Sequence, residues 1–396
     1  MRRRHFLKLA ALAAVASARS AAAPIPAPAD PMAYWRTQRR GANCFNLTVD
    51  RAYFAACRAA NIRLVRLAWG KWKGDGRDFL LGDADRFERI PPADLARLQR
   101  VLDDADAEGV KVVLTPLSLP GLRWRQQNGG AFDDRLWRDE RYHAQAAAFW
   151  KELAAAVRGH PAVVGLNLLN EPAPARALKV DLPNAAARAA FDRKVAGTPA
   201  DVNRLYRALL AAVREANPHV PVVLDAADFA SPDAIDGLAP VDDPRVLYAV
   251  HFYEPWVYTT FRQNGGKRAY PGEMAIDGKR ETWDRDAVRR RLDPVAGWAK
   301  RHGLPAERIV LGEFGCDRRV PGAERYLADV IDVANGFGWH WAFYAFREDE
   351  WDGLDYELGT GKLPWAYWQA VERGEKPAPP RKENPLWRVV ARQFEP

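Results

Sequence analysis

Two glutamates in this chain stand where a carboxylate is costly. Glu171 follows Asn167-Leu168-Leu169-Asn170 and precedes Pro172, and Glu313 lies within Leu311-Gly312-Glu313-Phe314-Gly315. A carboxylate at the end of an apolar run must be paired or must face a solvated cleft. Either glutamate alone reads as a structural ion-pair partner. Together they form the pair that cleavage of a glycosidic bond requires, one protonated to release the leaving oxygen and one ionised to attack or to activate water. His251 and Tyr253 could hold one of them ionised by hydrogen bonding, and Arg66 adds positive charge. Asn170, beside Glu171, is a neutral donor suited to a sugar hydroxyl.

Such residues need elements that carry them to one place. Apolar runs recur at 41–46, 62–69, 110–117, 163–170, 221–226, 246–253, 308–314 and 339–346. Most are rich in Val, Leu and Ile, as suits parallel strands covered on both faces. Amphipathic stretches fall between them at 50–60, 93–108, 141–158, 200–216, 286–302 and 323–335; in 93–108, Leu95, Leu98, Val101, Leu102 and Ala105 keep a helical spacing. Only a short helical candidate, around 232–238, follows the fifth run, and 364–371 would make the last helix. Eight strands alternating with helices predict an α/β chain folded as a (β/α)8 TIM barrel, a single domain over 24–396. An open doubly wound sheet would favour a Gly-rich phosphate turn after the first strand, and Gly41-Ala42-Asn43-Cys44-Phe45-Asn46 has none. Barrels gather function at the C-terminal strand ends. Arg66, Asn170, Glu171, His251, Tyr253 and Glu313 all fall there.

Asn170-Glu171-Pro172 after an apolar strand, His251-x-Tyr253 and Gly312-Glu313-Phe314-Gly315 together resemble glycoside hydrolase family 5, the cellulase family of retaining (β/α)8 glycosidases. Order and spacing fit from Arg40-Gly41-Ala42-Asn43 to Trp341-Ala342-Phe343-Tyr344. The resemblance implies that Glu171 is the acid/base and Glu313 the nucleophile. It implies that Asn170 holds the sugar 2-hydroxyl, that Tyr253 orients Glu313, and that Arg66 and His251 support the site. It also implies a His near the end of strand three, where Leu117 stands, and a stacking Trp on strand eight. That position aligns with Tyr344, and Trp341 lies three residues earlier. The implied activity is hydrolysis of a β-linked glucan in the manner of an endo-β-1,4-glucanase, with β-mannanase or exo-acting β-glycosidase activity as alternatives.

Fifteen tryptophans favour a sugar substrate, because flat rings suit the apolar faces of pyranoses. Trp69, Trp72, Trp124, Trp256 and Trp351 fall on strand-to-helix loops, with Trp256 closest to His251 and Tyr253; Trp150, Trp298 and Trp368 fall on helices and are expected to pack. The long segments 71–92 and 122–140 could wall off one end of a cleft. Rival chemistries lack their marks. The seven histidines are scattered and only His251 sits at a strand end, so no metal is expected, nor any cofactor. No candidate strand ends in the lysine of a Schiff-base enzyme. A non-catalytic carbohydrate-binding barrel would keep the aromatics and lose one carboxylate, and both are present.

The formal net charge of +8 is misleading. Arg2, Arg3, Arg4, Lys8 and Arg19 lie in the first 23 residues, which hold no acid; 59 basic residues less these five leave 54 against 51 acidic, or +3. No concentrated basic face is left for nucleic acid. Residues 1–23 read as an export signal, with a basic start, a short apolar stretch from Leu9 to Ala18, and Ala16-Ser17-Ala18 or Ala21-Ala22-Ala23 for cleavage. Arg3-Arg4-His5-Phe6-Leu7-Lys8 is similar to a twin-arginine signal, so the expected location is periplasmic or extracellular. The apolar stretch is shorter than the ~20 residues a membrane span needs. Cys44, Cys57 and Cys316 make neither a disulfide framework nor a metal cluster and are expected to pack as small apolar residues. The expected partner is an oligo- or polysaccharide, bound by a monomer.

Overall fold

The computed structural model describes residues 30–276, 278–349, 351–375 and 377–395, so the expected export signal lies outside the described residues. Eight strands overlap the eight apolar runs: β1 (Arg40–Cys44), β2 (Leu64–Ala68), β3 (Lys111–Thr115), β4 (Val163–Asn167), β5 (Val222–Asp225), β6 (Val246–Phe252), β7 (Ile309–Phe314) and β8 (His340–Phe343). All pair in parallel, and β1 joins both β8 and β2, closing a (β/α)8 barrel. Around it lie α1 (Arg51–Ala59), α2 (Pro92–Ala107), α3 (Glu140–Ala156), α4 (Val202–Ala216), α5 (Arg285–Arg301) and α6 (Ala323–Phe337). Asp50, Asp139, Asp201 and Asp284 start α1, α3, α4 and α5, each side chain accepting a backbone N–H of the first turn. The return after β5 is the 3-10 turn Pro232–Gly237. No described helix is long and apolar enough to cross a membrane.

The closing helix differs from expectation. After β8 come α7 (Trp365–Glu372) and α8 (Pro385–Ala391). It is α8 that packs on α6, burying Leu386, Trp387, Val389 and Val390. In α7 only Ala370 is buried, and Trp365 and Trp368 are 66% and 40% exposed. The two tryptophans are one turn apart on a face that no described element covers, so Trp368 does not pack as its helical position suggested.

Period-two alternation sorts the barrel interior into layers. At the N-terminal end Leu64, Val113, Val164, Val223, Leu247 and Val310 enclose Trp35. The Trp35 indole N–H donates to Val164 O at 2.9 Å, so the leading turn Pro31–Arg36 plugs the floor. Two residues further along their strands stand Arg66, Thr115 and Asp225, and His251 follows Ala249 in the same rhythm. β4 and β7 break that count. Val112 and Val113 pair with Val163 and Gly165, while Val250 and His251 pair with Leu311 and Glu313. One extra residue in each strand, Val164 and Gly312, re-aims the side chains beyond it. Asn167 and Glu313 therefore enter the polar layer three residues beyond Val164 and Val310. The strands leading to the two glutamates are the ones that carry these shifts.

Candidate active site

The polar layer closes on Arg66, which is 7% exposed. Its guanidinium donates to Glu313 Oε1 at 2.6 Å, Asn170 Oδ1 at 2.6 Å, Asn167 Oδ1 at 2.8 Å and Asn43 Oδ1 at 3.0 Å. The Tyr253 hydroxyl donates to the other oxygen of Glu313 at 2.8 Å. His251 Nδ1 hydrogen-bonds Glu171 Oε1 at 2.8 Å and stands 3.8 Å from Glu313 Oε1. The far side of that ring lies against Gly312, where a Cβ would approach Nε2 to 2.9 Å. Glycine at the β7 shift thus makes room for the imidazole between the two carboxylates.

Glu171 lies beyond the end of β4, in the left-handed region at φ 51°, which costs a non-glycine residue ~1 kcal/mol. Its N–H donates to Asp225 Oδ2 at 3.1 Å, which holds the turn.

Burial is the largest influence on both carboxyls, and the outcomes differ. At Glu171 burial prevails and the negative charge of Glu313 adds to it, so the carboxyl is raised against the hydrogen bond from His251. At Glu313 burial is outweighed by the charges of His251 and Arg66 and by hydrogen bonds from Tyr253 and Arg66, so the carboxyl is held low. Burial lowers His251, but the charges of Glu313 and Asp225 and its bond to Glu171 raise it above its ordinary value. One acid keeps its proton more firmly than usual and its neighbour less firmly.

All eight side chains singled out from the sequence, Arg66, Asn170, Glu171, His251, Tyr253, Trp256, Glu313 and Tyr344, line one cleft of about 680 Å³. Leu117 lines it where the resemblance implied a His. Of the loop tryptophans, Trp124, Trp256 and Trp351 reach it, whereas Trp69 and Trp72 are buried. Trp341 is fully buried, donates its indole N–H to Asn335 Oδ1 at 3.0 Å and packs on Phe314, so the strand-eight aromatic facing the cleft is Tyr344. Segment 122–140 supplies Trp124 and Gln126, but 71–92 supplies no lining residue and buttresses the wall from behind. Cys44, Cys57 and Cys316 are buried free thiols.

Sequence reasoning missed Asn43, Asn167 and Asp225. Asp225 stands two residues beyond the floor residue Val223, a parity that could have found it. Asn167 lies three beyond Val164 and escapes that count, and Asn43 ends the Arg40-Gly41-Ala42-Asn43 stretch with no apolar floor residue before it on β1. It also missed the run Asp228, Phe229 and Ala230, all left-handed, which presents Phe229 to the cleft beside Trp124. Among the described residues, Glu171, His251 and Glu313 are also close enough to converge on a metal. A cation there would meet Arg66 at 2.6 Å from Glu313, so the set suits proton transfer better than metal ligation.

The family model for cellulase (glycosyl hydrolase family 5) matches residues 32–350. A curated β-xylosidase from Phanerodontia chrysosporium is 24% identical over 67% of this chain, which spans about half (51%) of that protein's length. Among solved structures, a hyperthermophilic endo-β-1,4-glucanase in complex with substrate has a TM-score of 0.62 at 18% identity, covering 92% of this chain and 99% of that one. Thermotoga maritima Cel5A in complex with mannotriose gives 0.59 at 16% identity, covering 82% and 94%. With the match spanning every barrel strand and both glutamates, the chain belongs to glycosyl hydrolase family 5, the cellulase family, and is a glycoside hydrolase.

Proposed function

We propose that this enzyme is a retaining β-glycosidase that cuts β-1,4-linked glucan internally, with Glu313 as nucleophile and Glu171 as acid/base. One observation carries the mechanism: carboxylate oxygens of the two residues lie within 4.8 Å, and their surroundings drive their proton affinities apart. That spacing supports retention, which needs carboxyls ~5–5.5 Å apart, rather than inversion, which needs ~6.5–9.5 Å to admit water. In the first step the Glu313 carboxylate attacks the anomeric carbon. The bond from that carbon to the leaving oxygen breaks, and Glu171 gives its proton to that oxygen. Forming the ester removes the negative charge of Glu313 that helped raise Glu171, so Glu171 becomes a base. It then takes a proton from water as the water attacks the anomeric carbon and frees Glu313. Asn170, whose oxygen is held by Arg66, offers its NH2 group to the sugar 2-hydroxyl, and Tyr344 and Trp256 offer ring faces.

The glucan assignment rests on the aromatic cleft walls and on likeness to an endo-β-1,4-glucanase. A second reading, exo action on short chains, is favoured by Trp124 and Phe229, whose rings stand 6.2 Å apart beside Glu171 and narrow that flank. Two measurements test these readings. The first-formed product followed by NMR should keep the β configuration, and an inverted anomer would overturn the retaining mechanism. On soluble β-1,4-glucan, viscosity should fall well before reducing ends accumulate. Release of single units without loss of viscosity selects exo action, and preference for mannan over glucan selects a mannanase. We also propose twin-arginine export: replacing Arg3 and Arg4 by Lys should trap precursor in the cytoplasm, and undiminished export would refute that route.

A further inference from the structure

Asp225 is completely buried at the end of β5, below the cleft that it does not line. Its Oδ1 accepts from Asn167 Nδ2 at 2.8 Å, and its Oδ2 accepts the Glu171 N–H at 3.1 Å. The same Oδ2 stands 3.5 Å from Arg66 Nη2 and 3.6 Å from His251 Nε2. That Nε2 makes no hydrogen bond of its own, so Asp225 is the anion behind the ring whose front Nδ1 holds Glu171. One carboxylate thus grips the acid/base by its backbone and again through the imidazole. We propose that Asp225 is a positioning residue for proton delivery by Glu171, fixing its strained turn and supplying the counter-charge to His251 and Arg66.

The charges that face one another here are Arg66 from β2, Glu171 beyond β4, Asp225 from β5, His251 from β6 and Glu313 from β7. Tyr253 faces Glu313, and the Tyr206 hydroxyl on α4 donates to the backbone oxygen of Asp225. With Glu171 protonated and His251 as imidazolium, two cations meet two anions, and the buried site is neutral. Without the charge of Asp225 the same protonation leaves it one positive charge in excess. A buried excess positive charge favours loss of a proton. The proton at risk is the one the leaving oxygen needs. Asp225 touches no substrate atom in this scheme, and it acts through Glu171 and His251.

This inference rests on the acid/base role proposed above for Glu171. The test uses Asp225→Asn in the full chain, with kcat/KM measured on two glycosides of one sugar, dinitrophenyl and phenyl. Dinitrophenolate departs without a proton and phenolate departs poorly without one. General acid help is worth ~100-fold or more, so the variant should lose at least ~10 times more on the phenyl than on the dinitrophenyl glycoside. The high-pH limb of kcat/KM for the phenyl substrate should also move to lower pH. Equal losses on both substrates, or an unmoved limb, would overturn the proposal and leave Asp225 a structural residue. If Asp225→Asn does not fold, Asp225→Ser, which removes the charge and keeps a small acceptor, must show the same pattern. Failure of both to fold also overturns the proposal. A wild-type enzyme that cleaves neither glycoside would refute the glycosidase mechanism itself, an outcome distinct from an active wild type with a variant blind to leaving group.

Discussion

Arg66 and Arg123 are both sealed from solvent, 7% and 1% exposed, and both gather carboxylates, one in the barrel mouth and the other between two rim segments. Arg123 donates to Asp78 at 2.7 Å, Asp83 at 2.8 Å, Asp85 at 2.6 Å and Asp133 at 3.1 Å. Arg135 adds bonds to Asp85 and Asp133. Hydrogen bonds from Arg123 and Arg135 hold Asp85 at about 2, and at Asp133 the same kind of bonding outweighs burial and lowers it as well. Asp85 and Asp133 are thus both pushed toward the ionised form, and the cluster ties segment 71–92 to the hairpin Leu122–Arg123 with Asp133–Asp134. At Arg66 the shifts diverge, with Glu313 down and Glu171 up. Neighbouring acids pushed the same way make a staple; acids pushed apart leave a proton to move.

Four experiments would break or sharpen that contrast. Glu313→Gln should cost at least ~1,000-fold in kcat, with the melting temperature within a few degrees of wild type. A collapse in stability with specific activity preserved would make Glu313 a staple like the acids around Arg123. Arg123→Met should do the reverse. Breaking a buried ion pair from one side costs about 3 kcal/mol or more, seen in denaturant unfolding, while turnover of a short aryl glycoside stays within a few-fold of wild type. Loss of turnover without loss of stability would move Arg123 into the catalytic machinery. Gly312→Ala displaces a charge without removing one. Its Cβ would press on His251 Nε2, and misplacing a positioning group of this kind should lower kcat/KM about tenfold. The smallest effect belongs to Asp85. Its folded value of about 2 lies below the ordinary 3.8, so its contribution is present above pH 4 and is lost as pH falls toward 2. The side chain is 44% exposed, and solvent screening limits that contribution to about 1 kcal/mol. Asp85→Asn should show the deficit at pH 7 and lose it as pH approaches 2. A constant deficit would show that shape, not charge, matters there.

Much of this molecule was legible before folding. The strands and main helices followed from short apolar runs and helical spacing, which are local, and the motif residues fell at strand ends because parallel barrels place their sites there. The helix expected at 364–371 forms as α7, but the chain runs on to α8, and it is α8 that has the facing surface on α6. Trp341 and Tyr344 could not be told apart by type. The strand settles them: Trp341 and Phe343 share the face packed against the helices, so Tyr344, of opposite parity, turns toward the cleft.

The sequence by itself determined the barrel, the two glutamates and the family, since each is written in short-range pattern or in contiguous motif. Only the tertiary structure decided that Asp225, Asn167 and Asn43 belong to the site, and that Val164 and Gly312 insert the extra residues that turn Asn167 and Glu313 inward. It alone set the proton affinities of the two glutamates in opposite directions. A side chain's charge state depends on what surrounds it, and His251, Arg66 and Asp225 reach the two glutamates only when strands far apart in the chain close into one ring.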